Sequence, residues 1–452
     1  MTSRAAPAGF PHLDAWALGI LFFLSRVNWV VSQNYHGSAN ATGAIYVSLA
    51  ASLMVVLAGY GLAALAGRRF AAVALRTAVL VMWLFVVAVT FRHLTSPTGL
   101  IDGFWQAFIA VAALAFAVLG AVTLAPVWRR LRAALLAAAL ISAISPFVLV
   151  AILAPRIELL ADSGAHRRPV LVLLLDEFSA GAAHDAGVEL GRMQLNVATW
   201  AVPSIGRNTI DVIPALFSGK ALEEASTCTA SAVCGRGTAV DFARMRVLRD
   251  DVDIAGFYHR YCDIRGLRSC VGSYQRVERS APVAFLCALP PRRVFAMLLD
   301  CGQPMADVTQ IDPVTEAGQV IDGAPFWDRG GIFYVHLLLP HLPSFSGELR
   351  LVDAYAANVE RASRLIRHVV ENFDRSPMRD DYTLIITSDH SLRVDYWCQR
   401  QPYASHDCEV PATMRTPDVP FIVASRGPPV SHRVPRSNLD LLPIVAEIAG
   451  PR

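Results

Sequence analysis

Charge is scarce in this chain: only 17% of its 452 residues are Asp, Glu, Lys or Arg, and the mean hydropathy is +0.42. That excludes an ordinary soluble enzyme and puts part of the molecule in lipid. Cysteine is missing from the first 227 residues, and none of the eight present stands in the C-x-x-C spacing that would favour a cysteine metal site. Lysine is reduced to Lys220 alone, a scarcity that reflects nucleotide composition more than chemistry. The net charge is only +3 and no basic stretch is interleaved with aromatics, so nothing points to a nucleic-acid partner. Internal repeats and low-complexity tracts are also missing.

What is present divides near residue 155. Five apolar runs, at about 13–31, 44–66, 70–91, 104–126 and 133–154, each reach the roughly 20 residues an α-helix needs to cross a bilayer. They predict an N-terminal all-α membrane bundle of five transmembrane helices over residues 1–155. Arg26 and Asn28 interrupt the first run, where a lipid headgroup could use them. Arg76, near the start of the third, reads as snorkelling to the interface. Arg4, the Arg68-Arg69 pair, and Arg129, Arg130 and Arg132 fall in the N-terminal tail and the second and fourth loops, while the first loop has no charged residue. By the positive-inside rule the N-terminus is cytoplasmic, and an odd number of spans puts everything after about residue 155 outside. The expected address is a bacterial-type inner membrane with a periplasmic or extracellular domain. All eight cysteines, Cys228, Cys234, Cys262, Cys270, Cys287, Cys301, Cys398 and Cys408, lie on that side and read as disulfides. Local pairs 228–234, 262–270, 287–301 and 398–408 would close short loops, although the sequence leaves the connectivity open.

A polar linker, 156–168, leads into the second domain, 169–452. Val170 to Leu175 is a continuous apolar run, as expected of a strand buried on both faces of a parallel sheet. Similar runs lie at about 330–338, 382–387 and 419–424, and helical patterns at about 209–218, 351–373 and 438–449. The outer part therefore reads as α/β with a mostly parallel central sheet. In such a sheet a site gathers outside the carboxyl ends of the strands, which brings Asp176-Glu177, His341 and Asp389-His390 to one edge. Carboxylate oxygens with an imidazole suit Zn²⁺ or Mn²⁺, and a mostly oxygen set also accepts Mg²⁺ or Ca²⁺. His336, five residues before His341, falls on the opposite face if the strand continues that far, and reads as a packed core histidine.

Thr209 supplies what such a metal would act on. Asn208 can cap the helix that starts there, and a hydroxyl at a helix N-terminus faces free N–H groups and the positive end of the dipole. A divalent ion touching that hydroxyl would lower its pKa and make it a nucleophile for phosphoryl transfer. Singly, each feature is ordinary, because acids at strand ends serve turns and threonine is common in a first helical turn. Lys220, eleven residues on, would stand about 16 Å away along a straight helix, too far to touch a reacting phosphorus.

Together these residues resemble the alkaline phosphatase/sulfatase superfamily, over about 169–451. Sulfatases place their modified cysteine ten residues before the glycine of a terminal Thr-Gly-Arg; here Gly219, in Ser218-Gly219-Lys220, lies ten residues after Thr209. The sulfatase C-x-P-x-R signature is missing, since Thr209, Asp211 and Ile213 stand at its cysteine, proline and arginine. That departure argues against formylglycine-dependent sulfate ester hydrolysis. Threonine in that place resembles the membrane-anchored phosphotransferases of the lipoteichoic acid synthase and lipid A phosphoethanolamine transferase type, which also join five transmembrane helices to an extracytoplasmic catalytic domain. The resemblance implies an alkaline-phosphatase-like fold, with Asp176 as the first acidic metal ligand and Thr209 as the nucleophile and a further ligand. It implies Asp389 and His390 as a ligand pair, and His341, in Pro340-His341-Leu342-Pro343, as a substrate contact. Pro420 to Val423, and Asp440 to Pro443 with Ala449-Gly450, resemble the closing segments of such a domain.

Glu177 is either a second ligand, as in the paired acids of sulfatases, or none, since the transferase pattern needs one acid. Arg393 could bind a phosphate or headgroup oxygen, and Trp397 could line the pocket. His406 and Asp407 could complete a second metal site or belong to a solvated loop. The implied activity moves a headgroup phosphate, of phosphoethanolamine or phosphoglycerol type, from a membrane phospholipid donor through a phospho-threonine to an envelope glycan or glycolipid acceptor. A tethered phosphodiesterase or phosphatase that passes the group to water is the alternative enzyme. A non-catalytic envelope binding or assembly protein is the alternative outside enzymology.

Overall fold

The computed structural model describes residues 11–33, 41–95, 123–160, 168–272, 313–342, 350–399, 403, 408–428, 430 and 432–450. The chain forms two compact units, one holding the helices up to Leu153 and one opening at Ala154. Most of the expected fourth span, and His406 with Asp407, lie outside the described residues.

The first unit contains α1 (Pro11–Gln33), α2 (Ala41–Leu65), α3 (Arg68–Thr95) and α4 (Trp128–Leu153). Small side chains let the helices approach: Ala15, Ala17, Ala71 and Ala139 are buried, with Leu21, Val79 and Leu135 beside them. Asp14, in the first turn of α1, is also buried. It accepts from Trp128 Nε1 at 2.7 Å and Arg132 Nη1 at 2.6 Å, and Arg76 Nε lies 3.7 Å away. Arg76 therefore turns inward to Asp14 and does not snorkel, because a buried carboxylate binds the cations within reach. Leu53, Met54, Leu57, Ile141 and Ile152 face outward. Among the described residues, Ser48–Leu65 is long and apolar enough to cross a membrane, and Trp128–Ser145 with Phe147–Leu153, bent by 41°, is a second if the pair makes one span. Asp14 and Arg26 in α1, and Arg68, Arg69, Arg76 and Arg92 in α3, dilute the apolar content of those two helices.

The second unit is built on a seven-stranded mixed sheet. Its strands are β1 (Val170–Asp176), β2 (Asn196–Pro203), β3 (Val252–Gly256), β4 (Ser269–Gly272), β5 (Ile332–Pro340), β6 (Tyr382–Ser388) and β7 (Asp418–Arg426). The order is β2-β7-β6-β1-β5-β3-β4; β7 is antiparallel to both its neighbours and the other four pairings are parallel. Every residue of β1, β5 and β6 is buried, which is why these strands read as unbroken apolar runs. One face is covered by α6 (Leu351–Arg375), whose Ala362, Leu365, Ile366, Val369 and Phe373 recur at helical spacing and pack among Leu171, Leu173, Leu175 and Val335. The helix that opens at Thr209, α5 (Thr209–Ser218), and the closing α7 (Leu441–Ala449) pack against each other.

Register places the site. Ser388 pairs with Leu175, and Pro340 pairs with Asp176. The residues that follow, Asp389-His390 and His341, thus leave the sheet beside Asp176. β5 begins two residues later than its apolar run implied, because Gly330 and Gly331 hold φ of 65° and 101°, and a Cβ on Gly331 would lie 2.2 Å from the Asp251 carbonyl oxygen. Disulfides join Cys262 to Cys270 and Cys398 to Cys408. Cys228 and Cys234 are disulfide-bonded as well, while Cys287 and Cys301 lie outside the described residues.

Candidate active site

Three parallel strands deliver Asp176, Asp389-His390 and His341 to one edge, and α5 brings Thr209 to the same place. Ligand atoms of Asp176, Asp389 and His390 all lie within 4.8 Å of one another, and all three residues are buried. His390 Nδ1 donates to the Ser391 carbonyl at 3.0 Å. That bond fixes the tautomer, so in the neutral ring the Nε2 lone pair is turned inward. Nε2 stands 3.5 Å from Asp176 Oδ1, 3.4 Å from Asp389 Oδ2 and 3.4 Å from the Thr209 hydroxyl.

The carboxylates are unsatisfied in a telling pattern. Asp389 Oδ1 accepts from the backbone N–H of His390 at 2.7 Å and of Glu177 at 3.3 Å. Its Oδ2, and both oxygens of Asp176, are buried with no hydrogen-bond donor. Burying such oxygens unpaired costs several kcal/mol each, by the usual order of magnitude for an uncompensated buried charge. Burial, followed by the charges of Asp389 and Glu177, pushes the Asp176 carboxyl well above the usual range. A divalent cation among these oxygens and His390 Nε2 would satisfy all of them at once, so the donor set fits a metal ion.

Glu177 turns away from this group. It holds a left-handed φ of 62°, fixed by its N–H bond to Asp389 and by Tyr355, whose hydroxyl donates to its carbonyl at 2.7 Å. Its carboxylate accepts from Arg393 Nε at 2.5 Å and from Trp397 Nε1 at 2.8 Å, and so is engaged away from the metal candidate. Burial would raise its pKa, but the charges of His341 and then of Arg393, which also hydrogen-bonds to it, outweigh that and lower it to about 2. Arg393 reaches further, donating from Nη1 to Asn208 Oδ1 at 3.0 Å and from Nη2 to His341 Nε2 at 3.4 Å. His341 can accept because burial, only partly opposed by Glu177, lowers its pKa to about 4 and keeps the ring neutral. Trp397 packs edge-on to His341, 5.2 Å between ring centres.

Asn208 occupies the N-cap position of α5, yet its side chain does not cap. It donates to Asp211 at 2.8 Å and accepts from Arg393, linking the start of the Thr209 helix to the Glu177 network. Gly219, at φ 70°, closes the same helix in the left-handed region. Lys220 lies beyond it, exposed. His336 is a core histidine hydrogen-bonded to Tyr261 at 2.8 Å, with its pKa lowered to about 4 by burial.

Several supporting residues carried no sequence signal. Asn438 Nδ2 donates to the Asp389 carbonyl at 2.8 Å and its Oδ1 accepts from Ile205 N at 3.1 Å, tying the Asp389 loop to the one before Thr209. Ser204 donates to the same carbonyl at 2.7 Å. His259, from the carboxyl end of β3, donates from Nε2 to the Thr209 carbonyl at 3.2 Å. Beside His390 opens a recess of about 380 Å³, lined by Ser204, Gly206, Arg207, Arg393 and Arg415 among others.

No protein-family model and no curated protein sequence matches this chain. Solved structures do. The chain is similar to the integral membrane protein lipooligosaccharide phosphoethanolamine transferase A from Neisseria meningitidis, at 12% identity and TM-score 0.35, over 90% of this chain and 88% of that one. It is similar to the zinc complex of the C-terminal periplasmic domain of EcEptC from Escherichia coli, at 12% identity and TM-score 0.37, over 66% and 86%. It is also similar to a protein in the alkaline phosphatase superfamily from Vibrio parahaemolyticus, at 11% identity and TM-score 0.37, over 65% and 69%.

Proposed function

We propose that this chain is a membrane-anchored, metal-dependent phosphotransferase whose nucleophile is Thr209. One observation carries the reading: three donor-less buried carboxylate oxygens and His390 Nε2 converge next to a hydroxyl at a helix N-terminus. Asp176, Asp389, His390 and Thr209 would hold the metal, with Zn²⁺ or Mn²⁺ suiting the mixed set best and Mg²⁺ or Ca²⁺ as alternatives; when bound it supplies positive charge that favours the alkoxide of Thr209.

Thr209 Oγ1 bonds to the phosphorus of a phospholipid, the bond to the diacylglycerol oxygen breaks, and the threonine proton ends on that oxygen. The dipole of α5 favours the charge gathering on the phosphoryl oxygens. Arg393 is held by Glu177 and Asn208 at the same edge and offers guanidinium donors to those oxygens. His341, neutral at physiological pH, hydrogen-bonds substrate or takes the proton of the acceptor hydroxyl in the second half-reaction, in which the acceptor oxygen bonds to phosphorus, the bond from phosphorus to Thr209 Oγ1 breaks and the proton returns to Thr209. That acceptor is an envelope glycan or glycolipid. Five membrane spans anchor the enzyme in an inner membrane, with the catalytic unit on the outer side.

Incubation of the metal-loaded protein with a headgroup-labelled phospholipid should leave label on the protein. Thr209→Ala should abolish it, and full labelling of that variant would reject the mechanism.

A further inference from the structure

The recess beside His390 has a charge balance that the chemistry above does not use. Its wall carries three arginines, Arg207, Arg393 and Arg415, against one acid, Asp395. The charge of Arg393 is matched by Glu177. Arg207, in the loop before α5, and Arg415, shortly before β7, are both exposed, and neither makes an ion pair or side-chain hydrogen bond among the described residues. Neither packs into the core, so the fold has no need of a guanidinium at either position. Both face a concavity that His390 also lines, so one occupant can touch these arginines and the metal candidate together. A planar guanidinium fork matches the paired oxygens of phosphate and carboxylate, and two such forks repel an ammonium group.

We infer that this recess is a subsite for a second anionic group, a phosphate or a carboxylate, carried by a molecule that reacts at Thr209, with Arg207 and Arg415 as its specificity-determining residues. The identity of the occupant as donor or acceptor rests on the phosphotransfer reading; anion binding does not.

The full-length Thr209→Ala chain, in detergent and stripped of metal with a chelator, is titrated by calorimetry with glucose 6-phosphate and with glucose. The phosphorylated sugar should bind and glucose should not, and the Arg207→Gln/Arg415→Gln double variant should weaken binding at least about tenfold. Equal affinities for the two sugars, no binding of either, or an unchanged affinity in the double variant would overturn the subsite. A second arm assigns the source. In the otherwise intact chain, the double variant slows labelling of Thr209 from cardiolipin or phosphatidylserine micelles, whose headgroups carry an anion besides the reacting phosphate, and not from phosphatidylethanolamine micelles, if the anion belongs to the donor. It slows discharge of the label to glucose 6-phosphate, and not to glucose, if the anion belongs to the acceptor. Effects on neither step overturn the proposal. Failure of the chain with native Arg207 and Arg415 to label at all counts against phosphotransfer and leaves the calorimetric result standing.

Discussion

At the scale of single residues, the pattern of unmet hydrogen bonds says more than the identity of the acids. Asp176 and Glu177 are adjacent acids at a strand end, and sequence left both as ligand candidates. The structure separates them by their partners: Glu177 is saturated by Arg393 and Trp397, while both Asp176 oxygens have no donor. Asp176→Asn should therefore lower zinc affinity by more than about 100-fold, since even losses around a metal's outer ligands reach that range; equilibrium dialysis measures it. A second expectation concerns pH. His336 has a folded pKa of about 4 against an unfolded value near 6.5, so the unfolded chain binds a proton that the folded state refuses. Its contribution is fully present above about 6.5 and is lost as pH falls toward about 4, by about 3 kcal/mol. Unfolding midpoints followed from neutral to mildly acidic pH should show a shallower acid decline in His336→Gln than in the parent chain. Identical slopes would count against the burial argument. Asn438, Ser204 and His259 were silent in the sequence because a buried or half-buried polar residue that anchors a backbone looks, in one dimension, like any loop residue.

Elements differ in how well their sequences report them. The strands β1, β5 and β6 are buried on both faces, so their apolar runs are continuous and legible. The edge strand β2 has mostly exposed or half-buried positions and no clean alternation. Asp253 breaks the apolar pattern of β3, being buried against Arg268 and Ser269, a pairing that only the tertiary fold creates. Helix α5 was legible at both ends, but the role of Asn208 was not, because Arg393 arrives from nearly two hundred residues away. Among the helices of the first unit, Asp14 joins α1, α3 and α4 through Arg76, Trp128 and Arg132. Asp14→Ala leaves two cations without their shared anion and should cost about 3 kcal/mol or more. A lowered thermal aggregation midpoint of the detergent-solubilised chain would report it, and an unchanged midpoint would make the cluster incidental.

For the whole molecule, composition drew the main division. An apolar, cysteine-free first third contrasts with a cysteine-bearing α/β remainder, and the helix-rich unit up to Leu153 contrasts with the sheet that follows. The candidate site was legible to the extent that strand ends were, since register alone sets Asp176, Asp389, His390 and His341 together. Its arginines were not, because Arg207 and Arg415 reach a common recess only through folding. The central claim is that Thr209 carries the group in transit. It is tested most directly by peptide mass spectrometry of the metal-loaded, full-length protein after incubation with phosphatidylethanolamine or phosphatidylglycerol and no acceptor. The expected result is a phosphoester adduct of the headgroup's mass on the peptide containing Thr209. Turnover of the lipid with that peptide unmodified, or an adduct at another residue that persists in Thr209→Ala, would contradict it.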